Sequence, residues 1–327
     1  LHKIGTPTYV LLYCDCAKLE KKSLLRLTIV DAGTLDKILG YFVEEAKEHL
    51  ETLEKGILEL STVVNDSERI NELFRAAHSL KGGAAMLNIG SIQKTSHRLE
   101  DAFKILRDEE VTVDQKLEGL FWDAYDVLQD LIERLQSALG LQEDEADGIV
   151  KDAEPTFKEL QKYLELQKNT GAKPVQLSSS ELEVVSQENI YQDIIQELRE
   201  MLTIFKQNAT HNNREELQQI CSNLKKIAPE VEGWQNLLKI VSSAIANPKH
   251  SYQLLAPVVI KELKQGADCL ELGEEDQITP TPVLTRLAQA KVPQILVTVE
   301  PQAAASVLLQ VFNQHQVSQL VKLLQKQ

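Results

Sequence analysis

The sequence predicts a mainly α protein: an antiparallel four-helix bundle, followed by a second helical domain and a small α/β tail. Three observations point there. Residues 35–140 hold four long runs with apolar residues at helical spacing, joined by short breaks, which is the pattern of an up-and-down bundle. Leu, Gln, Glu, Lys and Ala dominate while aromatics make up only 5%, and strand-like runs are scarce. At 327 residues the chain is long enough for two or three cores.

Residues 1–34 share no pattern with the rest of the chain and are read as an N-terminal extension that need not be ordered. The first helix spans Asp36 to Leu60, with Phe42, Ala46, Leu50, Leu53, Ile57 and Leu60 on one stripe. The second runs from Ser67 to Leu87, with Asp66 or Ser67 as its cap. Asn88-Ile89-Gly90 makes a turn, the third helix runs from Ser91 to Arg107, and the fourth covers about Val113 to Leu139, stopped by Gly140. Residues 141–180 supply a further helix near Pro155 to Leu166 and a linker with Gly171 and Pro174. A second helical domain occupies 181–272. In 273–327, breaks at Glu274-Glu275-Asp276 and Pro280-Thr281-Pro282 precede a lone strand at Gln294 to Val299 and one or two helices from Ala303 to Gln325. The apolar face of that tail, which includes Val307, Leu308 and Leu320, is expected to pack against its own domain.

The most informative residue is His78, in the run Arg75-Ala76-Ala77-His78-Ser79-Leu80-Lys81-Gly82-Gly83. Leu73, Ala76, Ala77, Leu80, Ala84 and Leu87 form the stripe of this helix, which puts His78 on the opposite, solvent side. Each glycine inside a helix costs about 1 kcal/mol relative to alanine. Gly82 and Gly83 therefore indicate either tight packing or a shallow face over which another protein closes, with equal weight on the two. If the second and third helices form a hairpin about Ile89, His78 faces Glu100, with Lys81 and His97 each one turn away on the same faces. A carboxylate that accepts a hydrogen bond from one ring nitrogen fixes the tautomer that leaves the other nitrogen nucleophilic. A lysine can offset the charge of a transferred phosphoryl group, and His97 can orient the carboxylate or the imidazole. Any one of these residues alone reads as a member of an ordinary exposed Lys/Glu/His cluster, worth roughly 0.3–0.5 kcal/mol per pair.

His78-Ser79-Leu80-Lys81-Gly82, with His97 and Glu100 downstream, resembles the histidine phosphotransfer (Hpt) domain, specifically the N-terminal P1 domain of CheA-type kinases. Phe42-Val43-Glu44-Glu45-Ala46 is similar to that domain's opening helix, and Ile70-Asn71-Glu72-Leu73-Phe74 to the approach to its histidine. The resemblance covers about a third of the chain, and in P1 domains a fifth helix comes after the four. It implies that His78 is the phospho-acceptor and that Lys81, His97 and Glu100 support it; the shallow-face reading of the glycines puts Gly82 and Gly83 on the docking face. The resemblance implies as partners a CheA-like histidine kinase core in trans and a response regulator receiver domain, in a motility pathway.

No G-x-G occurs in the sequence, so no glycine-rich phosphate cradle is expected, and no alternating strand–helix pattern marks a receiver. The phosphoryl group is therefore expected to come from one protein and leave to another, with no cofactor and no metal. Cys14 and Cys16 have only His2 as a nearby further ligand, too little for a metal site. A net charge of −14 disfavours nucleic acid and anionic membrane as partners. No apolar stretch reaches a membrane span and no signal peptide is visible, which predicts a cytoplasmic protein.

Within 181–272 the run Arg214 to Lys226 has the cadence of the histidine helix, with Ser222 in the histidine's place. This admits a degenerate second bundle unable to carry phosphate, or an unrelated helical domain. His211 and His250 lack a Lys-Gly partner and are not expected to be phosphorylated. The alternative function is a non-catalytic helical adaptor that docks receivers or kinase without phosphotransfer. A receiver phosphatase is weaker, since His78 already occupies the surface from which Glu100 would have to act.

Overall fold

The computed structural model describes residues 9–11, 32–137, 140–168, 180–292, 294, 296–298 and 301–325. A first group of helices comprises α1 (Ala32–Leu58), the single turn α2 (Leu60–Val63), α3 (Ser67–Met86), α4 (Gly90–Asp108) and α5 (Gln115–Gln136), then α6 (Glu143–Asp152) and α7 (Glu154–Lys168). A second comprises α8 (Ser180–Phe205), α9 (His211–Ile227), α10 (Glu232–Ala246), α11 (Tyr252–Glu271) and α12 (Pro282–Gln289), with α13 (Pro301–Val311) and α14 (Gln314–Leu324) beyond. Two three-residue strands, β1 (Tyr9–Leu11) and β2 (Leu296–Thr298), pair antiparallel with Val10 opposite Val297.

In the first group α1 packs on α3, α3 on α4, α4 on α5 and α5 back on α1, which closes a four-helix ring. Its core includes Phe42, Leu53, Leu80, Leu99, Phe103, Phe121 and Leu128, and Phe103 stacks on Phe121 with ring centroids 5.0 Å apart. The helix ends are set by local chemistry. Asp66 caps α3 by accepting from the backbone N–H of Glu68 and Arg69, and Asp114 caps α5 by accepting from Leu117. Asn88 takes a positive φ of 60°, a left-handed conformation that asparagine tolerates, and so turns α3 into α4. α5 ends at Gln136, earlier than expected; Gly140 does adopt a left-handed φ of 67°, while residues 138–139 lie outside the described residues. The expected helix near Pro155 is α7, whose Phe157, Leu160 and Leu164 join the first core. α6 was not anticipated, because its acidic first turn, Glu143-Asp144-Glu145, masks a weak apolar stripe.

The second group repeats the ring: α8 packs on α9, α9 on α10, α10 on α11 and α11 on α8. Trp234 is its largest wholly buried side chain, and its indole N–H donates to the Leu224 carbonyl at 3.0 Å. The boundary expected at 273 does not separate this unit from a tail. Ile278, Leu284 and Leu287 belong to the same core, with α12 on α10, started by Pro282 after a Thr281 cap. β2, α13 and α14 lie where the tail's strand and helices are expected, but the strand is not alone: β2 finds its partner at the other end of the chain. The tail's apolar face packs only in part: Val307, Leu308, Phe312 and Leu320 are half-buried, whereas Val311 and Leu324 are more than half exposed. Most of the expected linker, and Cys14, Cys16 and His2, lie outside the described residues. No described helix is long and apolar enough to cross a membrane.

Candidate functional site

The hairpin of α3 and α4 brings His78 and Glu100 together. His78 Nδ1 lies 2.8 Å from Glu100 Oε1, and Lys81 Nζ donates to the same oxygen at 3.0 Å and lies 2.9 Å from Oε2. Burial disfavours a charged Glu100, but its hydrogen bond from His78 and the nearby Lys81 outweigh that and hold its pKa below the usual carboxylate range. An ionised carboxylate only accepts, so the proton of this hydrogen bond sits on His78 Nδ1, and in the neutral ring Nε2 carries the lone pair. Lys81 is stabilised in its charged form: burial lowers its pKa, and Glu100 and Glu271 more than reverse that.

His97 does not join the cluster. Its side chain is 54% exposed and faces Asp101 at 3.7 Å, one turn along α4. Helical spacing puts it one turn from Glu100, but the side chain leans away from the hairpin seam. Gly83 does not face outward: a Cβ there would come within 2.8 Å of the Phe42 ring, so this glycine lets α1 approach α3. Gly82 does face outward from the first bundle. A Cβ on it would lie 1.9 Å from the hydroxyl oxygen of Tyr191.

The solvent side predicted for His78 is occupied by the second group of helices, and the histidine is 1% exposed. Periodicity along α3 identifies the face turned away from its own bundle, but cannot reveal that α8 and α11 cover that face. From α11, Glu271 Oε2 lies 3.4 Å and Asp268 Oδ1 3.7 Å from His78 Nε2. From α8, the Tyr191 ring stands 5.3 Å from the imidazole, centroid to centroid, and its hydroxyl donates to Asp268 at 3.0 Å. Nε2 has no hydrogen-bond partner among the described residues. Burial alone would disfavour the imidazolium. The hydrogen bond to Glu100 and the charges of Asp268, Glu100 and Glu271 outweigh it and hold the His78 pKa above its ordinary value.

Further contacts close the seam. Lys264, 3% exposed, sits 2.7 Å from Asp268 and 3.8 Å from Glu45 of α1 and donates to the Ser79 hydroxyl. Glu45 is held down to about 2: burial would raise its pKa, but Lys264 and His49 prevail. Arg199 of α8 donates twice to the Ala85 carbonyl, at 2.9 and 2.7 Å. Arg75 pairs with Glu274. Sequence reading missed Asp268, Glu271, Lys264 and Tyr191, because nothing in their spacing ties them to residues more than 100 positions earlier. The one available signal is Lys264-x-x-x-Asp268-x-x-Glu271, charged residues a turn apart along one face of α11.

His78, Glu100 and Glu271 each place one ligand atom within 4.8 Å of the others, a spacing a cation accepts. The Lys81 ammonium already occupies the position between Glu100 and Glu271, so the cluster carries its own counter-charge and does not require a metal. At the counterpart position of the second group, Ser222 is exposed and donates to the Gln218 carbonyl of its own helix at 3.0 Å. His250 is a buried structural histidine whose Nε2 lies 2.8 Å from the Leu287 carbonyl.

The family model for the Hpt domain matches residues 37–138. Among curated relatives, chemotaxis protein CheA of Borreliella burgdorferi is 36% identical over 97 residues, 30% of this chain and 11% of that protein. The CheA of Treponema pallidum is 33% identical over 122 residues, 37% of this chain and 15% of that protein. The CheA of Klebsiella aerogenes is 36% identical over 97 residues, covering 30% and 15%. The chain thus spans only a small part of the length of the curated relatives it matches. No solved structure is significantly similar to it. With His78 and Glu100 facing each other across the hairpin of a four-helix ring, residues 37–138 are a histidine phosphotransfer domain, homologous to the P1 portion of CheA.

Proposed function

We propose that the chain is a phosphocarrier of a CheA-like signalling pathway, with His78 as the phospho-acceptor. The observation that carries this reading is the buried His78–Glu100–Lys81 cluster inside the Hpt domain. The Nε2 lone pair attacks the γ-phosphorus of ATP held by a histidine kinase core outside these 327 residues. The P–N bond forms as the bond to the bridging oxygen breaks, and ADP leaves with that electron pair. An aspartate oxygen of a response regulator receiver then attacks the phosphorus, and the P–N bond breaks to return the pair to Nε2. Glu100 accepts from Nδ1–H throughout, which keeps the tautomer and stabilises positive charge on the ring while the P–N bond forms or breaks. Lys81 offsets the charge of the phosphoryl oxygens. The CheA relatives are named as chemotaxis proteins, which supports motility as the output. We assign the phosphotransfer unit to residues 35–140 and the second unit to about residues 180–289, with Gly82 on the docking face.

The test is incubation of the full chain with radiolabelled ATP, with and without a CheA-like kinase core. Acid-labile, base-stable label on wild type, dependent on the kinase and lost in His78→Gln, is the expected result. The near-complete burial of His78 favours one competing reading, an adaptor that docks partners without transferring phosphate. No label with several competent kinases, under conditions that expose His78, decides for the adaptor.

A further inference from the structure

We infer that α8 and α11 are a removable cover on the His78 face, so that the described arrangement is a closed state in which neither phosphoryl donor nor acceptor reaches Nε2, and opening must precede transfer. The consequence for transfer rests on the phosphocarrier reading above; the cover itself rests on the seam.

Four features of the seam carry the inference. Tyr191 stands against Gly82, where any larger residue would collide with it, so α8 uses the shallow spot that an incoming protein would need. Near His78 the contacts are ionic and hydrogen-bonded: Lys264 to Glu45, Ser79 to Asp268 at 3.3 Å, Arg75 to Glu274 and Arg199 to Ala85. A seam of this kind separates more readily than an apolar core, as contacts between domains of one chain commonly do. Among the described residues, the apolar link between the two cores is narrow: Ile38, Ala85 and Met86 of the first unit join the core of the second with Leu87 packed beside them, and Leu272 of the second packs on the core of the first.

The third feature is that a phosphoryl group cannot fit the closed state. It would bring a charge of roughly −1.5 to −2 to a nitrogen already 3.4 and 3.7 Å from two carboxylates. Phosphorylation therefore expels the cover, and by thermodynamic linkage the cover opposes phosphorylation to the same extent. The fourth is that those carboxylates favour a proton on Nε2, and an imidazolium has no lone pair with which to attack. The closed state thus blocks the nucleophile both by access and by protonation.

The experiment uses the full chain and a reagent indifferent to phosphotransfer. Diethyl pyrocarbonate carbethoxylates accessible, unprotonated histidines, and peptide mass spectrometry resolves His78 from His97, the exposed internal reference. The variant Arg199→Ala/Glu274→Lys loosens the seam on two sides without touching the cluster. Gly82→Leu drives a wedge against Tyr191, and circular dichroism confirms that each variant is folded. We expect His78 of wild type to react far more slowly than His97, and both variants to raise its rate on the order of tenfold, as loss of charge-assisted hydrogen bonds implies. With a kinase core and ATP, the double variant should gain label by a similar factor, whereas Gly82→Leu should not, since its side chain also obstructs the incoming protein. A wild-type His78 that reacts as fast as His97, or folded variants that leave its rate unchanged, overturns the cover. Faster carbethoxylation in the variants with no phosphoryl label in any protein keeps the cover and rejects the phosphocarrier reading instead.

Discussion

The two helical units have the same closed ring of four helices and opposite uses of their polar residues. In the first, α3 and α4 collect a histidine, a lysine and a carboxylate at one level. In the second, α9 at the corresponding place carries Ser222, which only bonds to its own helix, while α11 sends Lys264, Asp268 and Glu271 outward onto the first unit. The bundle is a scaffold that any four amphipathic helices can build. Both sets of buried polar groups meet at the seam; what distinguishes the units is that the first holds a histidine paired within its own hairpin, while the second brings the charges that cover it.

The sharpest way to break this comparison is His78→Gln, which should abolish phosphoryl incorporation entirely while the equivalent change at the other unit's position, Ser222→Ala, leaves it unchanged; label on His78→Gln would place the acceptor elsewhere. Next in size, Lys264→Met should strip the seam of its buried cation. Removing the cation from between Asp268 and Glu45, which would keep only their contacts with Tyr191, Ser79 and His49, should cost up to roughly 3–5 kcal/mol, relieved in part by opening of the cover. Urea unfolding should show it, together with faster hydrogen exchange along α11, and an unchanged midpoint would mean that the lysine is not needed there. Glu100→Ala should slow phosphorylation on the order of 10²-fold without abolishing it, in line with the loss of a group that sets protonation state. A rate equal to wild type would remove its role.

The cover should also respond to pH. His78 in the closed state faces Glu100 from α4, Lys81 from its own helix, Asp268, Glu271 and Lys264 from α11 and Tyr191 from α8, and its pKa there is raised. Protonation therefore stabilises closure. That contribution is fully present below the open-state pKa and lost as pH rises through the closed-state value. Hydrogen exchange in α8 and α11, corrected for the intrinsic effect of pH, should accelerate over that interval in wild type and not in His78→Gln. The smallest effect belongs to His97→Ala, which should change phosphorylation by less than about twofold, because its exposed pair with Asp101 lies among contacts that contribute little. A larger loss would return His97 to the site.

The first bundle was legible from its sequence because its signals are local. The 3.6-residue period, the Asp66 cap and the Asn88 turn all act within a few residues, and the hairpin about that turn fixes His78 opposite Glu100 by counting. His97 and Gly83 show where counting ends. Spacing gives a residue's helix face to within a turn, but the direction of a side chain and the identity of the helix against a glycine depend on packing. The cover was not legible at all. Its residues meet His78 only after α8 and α11 have formed and docked, and an amphipathicity argument takes any polar face to be wet. The burial of nearly every residue on α3 from Leu73 to Met86, with only Arg75 and Ser79 less enclosed, is the signature of a helix held between two neighbours.

One more consequence lies in the connection between the units. Only 11 residues, 169–179, separate the end of α7 from the start of α8. A module joined by so short a segment confronts its target at an effective concentration on the order of millimolar. A free protein at ~1 μM would have to bind the His78 face about 10³-fold more tightly than the tethered helices do simply to share it equally. The length of the segment therefore sets a threshold: scarce or weakly matched proteins are refused, and only an abundant or tightly binding one, or one first anchored elsewhere on the chain, gains entry. Lengthening the segment would lower that threshold slowly, roughly as the −3/2 power of its length, without altering a single contact at the face itself.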